Sequence, residues 1–282
     1  MKISIFSALL LGFATAAFAD SAVIYNTLPS TLPPNNSSWG YEAEGTGEFG
    51  NLIQFAGSDS YSLVSATVAM STWVLESNYT GDFGKNIGGV QISETGFTIP
   101  LTLNIYRVGP GDTEGSLIGS GTIDAFIPWR NPPSAACVGN PNNINQQWMA
   151  SDSNCYNGQL VTVTIPLNGL TVPGQVIYGL AFNTPHYGAE PTGSGPSASL
   201  NFGLAQSAPS VGSDPPPGTA YIDGSISSAD YSGEIEFTTD TVSASAYVSA
   251  STPEPSSLLL LGTGLAGLSA VVFRTVKHRR RA

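Results

Sequence analysis

The sequence predicts an all-β body: two packed sheets forming a sandwich, with a jelly roll preferred over an immunoglobulin-like topology. One C-terminal transmembrane helix follows it. Three observations lead there. The 282 residues include 32 Gly and 20 Pro, and only 10% are charged, against about 25% in an average soluble domain. Short segments alternating apolar and polar side chains recur between turn signals, and no amphipathic run of helix length interrupts them. No internal repeat is evident, which disfavours solenoids and propellers.

The chain divides by composition into four parts: a leader (1–19), a β-sandwich domain (20–240), a Ser/Ala/Thr-rich linker (241–252) and a C-terminal signal (253–282). The leader reads as a secretory signal peptide. Lys2 supplies the positive start, Ile3 to Phe13 the apolar segment, and Ala17-Phe18-Ala19 the small-x-small cleavage pattern. Signal peptidase and the Sec translocon are the partners this implies. The apolar run is shorter than the roughly 20 residues a membrane span needs.

Within the body, residues 20–50 show little periodicity, and the breakers in Leu28-Pro29-Ser30-Thr31-Leu32-Pro33-Pro34 mark a loop. A first strand is expected over Asn51 to Ala56. From Val64 to Val74 the residues Val64, Ala66, Val68, Met70 and Val74 share one parity, with Ser65, Thr67 and Ser71 on the other, which marks a strand with one buried face. Phe97 to Tyr106 repeats the pattern with its odd positions inward. Pro100 cannot donate to a ladder and suggests an edge or bulge there. Further strands are expected at Leu117–Ile123 and at Leu160–Leu167. Val176–Phe182, apolar on both parities, should be a central strand. Ala198–Leu204, Tyr221–Ile222 and Ile235–Phe237 complete the set, with turns at 109–112, 172–174 and 213–218 and loops over 131–157 and 184–195.

Export sets the redox context. Cys137 and Cys155 are the only cysteines, and in an oxidising compartment they most simply pair. The Asn/Pro/Gly-rich loop they would close gains about 3 kcal/mol from the cross-link in the chain-entropy model. A metal site is the rival reading, but no His or further Cys stands nearby.

Charge narrows the partners. The body holds nineteen acidic residues against three basic ones (Lys85, Arg107 and Arg130), a net −16. Such a surface repels phosphate backbones, so no nucleic-acid partner is expected. Collective binding of divalent cations is the sharper alternative to simple solubility. Asp112 and Glu114, in Gly111-Asp112-Thr113-Glu114-Gly115, are weak candidates for calcium, though the set of ligands is incomplete and a structural turn uses the same residues. No other cofactor is expected.

No catalytic residues are assigned. His186 is the only histidine of the body and stands in a Gly/Pro loop, where a structural role is commoner than a catalytic one. No Gly-x-Ser-x-Gly elbow or metalloprotease helix motif is present. Glu42, Glu44 and Glu48, or Glu234 and Glu236, have the i, i+2 spacing that puts carboxylates on one face of a strand. Paired carboxylates serve glycoside hydrolysis, but they also keep sheet edges solvated. Trp73, Tyr79, Trp129, Trp148, Tyr156 and Tyr187 fall at strand ends or in loops, where aromatic rings stack on sugars or anchor the core. Trp129, Trp148 and Tyr187 are the candidate stacking residues.

The tail combines three signals. Pro253-Glu254-Pro255 holds the backbone extended. Ser256 to Phe273 is 18 residues without a charge, about 27 Å as a helix at ~1.5 Å per residue. Arg274, Lys277, Arg279, Arg280 and Arg281 would keep its C-terminus cytoplasmic by the positive-inside rule. Gly262, Gly264 and Gly267 weaken that helix and permit close approach of another.

Pro253-Glu254-Pro255-Ser256-Ser257, the Leu258–Leu261 run, Gly264-Leu265-Ala266-Gly267-Leu268 and the basic end together resemble the PEP-CTERM sorting domain of Gram-negative bacteria. The resemblance covers about thirty residues and departs from the pattern in the Val276-Lys277-His278 spacer. It implies recognition by an exosortase, cleavage near Pro253, Glu254 and Pro255, and transfer to the cell surface or exterior. Such proteins often accompany exopolysaccharide production. The body more faintly resembles exported β-domains found with such anchors, through Ile105-Tyr106-Arg107-Val108-Gly109-Pro110-Gly111 and the His186-Tyr187-Gly188 loop.

The expectation is therefore an exported, non-enzymatic surface or matrix protein, associated with extracellular polysaccharide or adhesive. A secreted carbohydrate-active enzyme using paired carboxylates and a purely structural envelope protein are the alternatives. The span would be a temporary inner-membrane anchor with the body in the periplasm.

Overall fold

The computed structural model describes residues 21–57, 59–87, 89–137, 147–182, 200–215, 220–227 and 231–240. The expected leader with its Ala17–Ala19 cleavage site, the His186 and Tyr187 loop, the linker, the apolar span and the basic end lie outside them. The chain divides into two compact units, residues 1–244 and 245–282, and every described residue belongs to the first. No helix among the described residues is long and apolar enough to cross a membrane.

Sixteen strands are described. In chain order they are β1 (Ser21–Asn26), β2 (Ser38–Trp39), β3 (Glu48–Gln54), β4 (Ser60–Thr72), β5 (Asn86–Ile87), β6 (Val90–Ile92), β7 (Gly96–Val108) and β8 (Glu114–Pro128). There follow β9 (Trp148–Met149), β10 (Cys155–Tyr156), β11 (Gln159–Pro173), β12 (Gln175–Ala181), β13 (Leu200–Gly203), β14 (Ala220–Ile222), β15 (Ser225–Ser227) and β16 (Ile235–Asp240). The only α-helical element described is one turn, α1 (Tyr41–Glu44), ended by Gly45 in the left-handed region.

Eight of these strands form the frame. One sheet runs β1–β16–β4–β11 and the other β3–β12–β7–β8, all pairs antiparallel. Numbered along the chain, the orders are first–eighth–third–sixth and second–seventh–fourth–fifth, which is the jelly-roll topology. Beyond β16, β13 pairs with the last residues of β4, and β2 pairs with β13 in turn. β14 and β15 extend the second beside β3, and β6 and β5 lie alongside the start of β7. The Pro173-Gly174 turn is a crossover rather than a hairpin, since β11 and β12 belong to different sheets. β12 is central, as its apolar residues of both parities require.

One core fills the space between the sheets. Phe97, Ile99, Leu101, Leu103 and Ile105 of β7 face Ala66, Val68 and Met70 of β4, with Phe49, Ile53, Tyr178, Leu180, Phe202 and Phe237 among them. Each such side chain contributes roughly 1.5–3 kcal/mol on leaving water. The rings meet edge to face, as between Phe55 and Phe237 at 5.5 Å and Phe49 and Phe202 at 5.9 Å. Outward positions carry hydroxyl pairs across strands: Ser65 with Thr238 at 2.9 Å, Thr67 with Thr164 at 2.9 Å and Thr102 with Thr122 at 3.0 Å. Because every described strand and this core lie between Ser21 and Asp240, the body encloses its own core.

Two details depart from the expected pattern. β1 occupies a stretch without visible periodicity; it is a short edge strand that pairs only with β16 among the described strands. Val64 is not inward. Register shifts in both flanking ladders leave it without a partner between Leu63 and Ser65, so β4 carries a bulge there. The buried parity changes from Tyr61 and Leu63 before it to Ala66, Val68 and Met70 after it. Opposite the bulge, Asn168 and Gly169 of β11 adopt left-handed conformations, φ 52 and 79. Pro100 is at no bulge but at a local edge, one of the two places expected for it. It sits within β7 opposite Asp124 of β8, and on the other side it falls between the residues that pair with β6 and with β12. A missing N–H there costs no described ladder bond.

Candidate functional site

A cleft of about 770 Å³ opens where the far end of β4 meets β2, β13 and β10. Ser71 and Thr72 end β4, and Trp73 leaves it at the cleft wall. Asn201 of β13 pairs with Ser71, and Ser38 of β2 pairs with Gly203. The loop before β2 supplies Asn35, Asn36 and Ser37, and is pinned at both ends: Leu160 N–H donates to the Pro34 carbonyl (2.9 Å) and Leu204 N–H to that of Ser37 (2.8 Å). α1 contributes Ala43 and Glu44, and β10 contributes Cys155 and Tyr156, followed by Asn157.

The polar side chains are held in a chain of hydrogen bonds. The Trp73 indole N–H donates to Ser71 Oγ (3.1 Å), and that hydroxyl donates to Asn35 Oδ1 (2.7 Å). A side chain at Gly158 would collide with all three of those groups, so the glycine is what lets β11 begin beneath them. Asn36 donates from its amide to Oε1 of Glu234 and through its own carbonyl accepts the Ser37 N–H (2.9 Å). Asn201 Nδ2 donates to Ser38 Oγ (3.3 Å). Tyr156 donates its hydroxyl to Asp152 (2.6 Å), which holds the Asp152 carboxyl below its ordinary range and the phenol above its own.

Asn157 Oδ1, Asn201 Oδ1 and Glu234 Oε2 are removed from solvent with no hydrogen-bond partner among the described residues. Asn157 and Asn201 line the cleft, and Glu234 stands behind Asn36. An orphaned buried acceptor costs about 1–3 kcal/mol, and such groups are few in folded proteins. Burial pushes the Glu234 carboxyl up to about 7, partly offset by the Asn36 bond.

Cys137 and Cys155 form a disulfide. It ties the cleft wall that carries Tyr156 and Asn157 to the turn at Ala135–Cys137.

Other residues singled out from the sequence lie elsewhere. Trp129 is only 9% exposed, stacks on Tyr79 (5.7 Å, 5° between planes) and donates to the Glu94 carbonyl (3.2 Å), so packing accounts for it. Trp148 is likewise buried and donates to the Gly158 carbonyl (2.7 Å); it borders a second, separate groove with Leu32, Phe126 and Met149. Trp73 and Tyr156, not these two, face the amide-lined cleft. Asp112 takes a left-handed conformation (φ 61) at the β7–β8 turn, where its carbonyl accepts the Tyr221 hydroxyl. Burial, and then the charge of Glu48, raise the Glu114 carboxyl. Among the described residues no group of three or more His, Cys, Asp or Glu is placed to hold a metal ion. The carboxylate sets also separate. Glu42 and Glu44 stand on the helical turn α1, Glu48 is on β3 beneath Asn104 and Tyr106, and Glu234 is buried while Glu236 is half exposed.

Asn35, Asn157, Gly158 and Asn201 were not singled out in the sequence. Asn and Gly are what loops are made of, and nothing in their spacing distinguishes those beside a cleft from those in ordinary turns.

Residues 251–280 match the PEP-CTERM protein-sorting motif. The chain thus carries an export and sorting signal whose processing partner is an exosortase. No curated protein and no solved structure matches the chain.

Proposed function

We propose that this protein is cut by its exosortase near Pro253-Glu254-Pro255 and delivered to the cell surface or surrounding matrix, where it associates with polysaccharide without chemical turnover. The cleft supports this reading. It combines Trp73 and Tyr156, rings suited to the apolar face of a sugar, with fixed amides and hydroxyls and two buried carbonyl oxygens that no group among the described residues satisfies. Concave sites with a few convergent polar groups are the usual form of a small-ligand site.

The test is retention of the body, residues 20–252, on the producing strain's own exopolysaccharide, together with matrix yield in a deletion strain. Retention and reduced matrix support the proposal. Neither effect would leave a purely structural envelope role. Release of reducing ends from the polymer would instead favour a carbohydrate-active enzyme.

A further inference from the structure

Resting on the reading that the cleft takes a sugar, we infer that its ligand is an uncharged, hydroxyl-rich glycan seated against Asn157 and Asn201, which both line the cleft. Asn201 is 5% exposed, with its Nδ2 spent on Ser38 and its Oδ1 left without a partner among the described residues. That oxygen lies beside Gly40, which also lines the cleft; a side chain at Gly40 would sit 3.7 Å from it. Asn157 Oδ1 is orphaned in the same way. Both are carbonyl oxygens, so what they lack is a donor. Sugar hydroxyls are donors, and neutral and acidic glycans both carry them.

Charge separates the two. Among the described residues Glu44 is the one charged group lining the cleft, and it is an acid. Arg130, 4% exposed, is not among the described residues that line the cleft, and it donates its Nε to the Trp73 carbonyl (3.0 Å). An anionic polymer would meet the Glu44 carboxylate and two carbonyl oxygens with no counter-charge. A neutral pyranose meets acceptors for its hydroxyls and an indole held in place by Ser71. That prior ordering lowers the entropic cost of binding.

The experiment is affinity electrophoresis of the 20–252 body through gels containing dextran, laminarin, mannan, alginate or dextran sulfate. Each is run at low salt and again at high salt. High salt screens the general repulsion between an acidic body and an acidic polymer, and leaves the chemistry of the cleft. The expected result is retardation by at least one neutral glycan at both salt levels, and by neither acidic one at high salt. Asn201→Ala and Asn157→Ala should each weaken the neutral interaction about tenfold or more while near-ultraviolet circular dichroism stays native. Asn157→Ala, at a half-exposed site, serves if Asn201→Ala fails to fold. Equal or stronger retardation by alginate or dextran sulfate overturns the inference and leaves the polysaccharide reading standing. Unchanged neutral binding in a folded variant overturns the assignment to this cleft. No retardation by any polymer overturns both.

Discussion

Asn36 donates its side-chain amide to a carboxyl 198 positions away, that of Glu234, which is 1% exposed. A residue on the wall of the cleft is thereby positioned by a buried acid whose second oxygen has no hydrogen-bond partner among the described residues.

Because burial raises the Glu234 carboxyl from its ordinary 4.5 to about 7, the folded protein holds a proton in that window which the unfolded chain has released. The stabilisation is complete below about pH 4.5, is lost as pH rises, and levels off above about 7, a change on the order of 3 kcal/mol. Glu234→Gln should remove this contribution. Urea midpoints of both proteins from pH 4.5 to 8 test it, and a wild-type-minus-variant difference that stays constant with pH would refute it.

The disulfide closes a loop of sequence separation 18, for which the chain-entropy model gives about 3 kcal/mol. Cys137→Ser with Cys155→Ser, or reduction, should lower the unfolding free energy by roughly that amount. Since Cys155, Tyr156 and Asn157 form one wall of the cleft, glycan retention should fall under reducing conditions while the body stays folded. Retention that survives reduction would show that this wall does not bind.

Trp73 and Trp129 should separate function from packing. Trp129→Ala removes a buried ring stacked on Tyr79 and should cost about 3–5 kcal/mol. Trp73→Ala should cost less stability but abolish glycan retention. The reverse pattern in paired denaturation and retention measurements would move the binding site away from the cleft.

Gly158→Ala places a methyl group against Ser71 Oγ, Trp73 Nε1 and Asn35 Oδ1. It should break that hydrogen-bonded chain at a cost of about 1–3 kcal/mol and release the indole from its fixed position. Trp73 fluorescence should then become more heterogeneous, and an unchanged emission lifetime profile would argue against the chain.

Substituting Pro253, Glu254 and Pro255 together by Ala should leave the mature protein uncut. Its mass on extraction from the producing strain should retain the last residues of the chain. A processed mass like that of wild type would place recognition outside the Pro-Glu-Pro segment.

The jelly roll was legible because its strands bury one face and alternate cleanly, as in Phe97 to Ile105, where each odd residue is buried. Alternation failed at Val64 because a bulge changes parity within one strand, and only the partner strands reveal it. It failed for β1 because a short edge strand needs little apolar content. The tail was legible as a linear motif. The cleft was not, because its members come from five separate stretches of chain and are ordinary loop residues one by one. Trp73 and Trp129 follow similar strand ends in the sequence, and only the packing against Tyr79 distinguishes the buried one.

The first and last strands of the frame are neighbours: Ser21 pairs with Asp240, and β16 lies between β1 and β4. The first sheet therefore stays split until the final strand arrives, however early the other seven are ready. In a chain that crosses the membrane from its N-terminus, closure waits until residue 240 has emerged, thirteen positions before Pro253. The frame is then completed only shortly before the sorting signal itself is delivered, so that a chain stalled any earlier leaves an open sheet exposed to proteases.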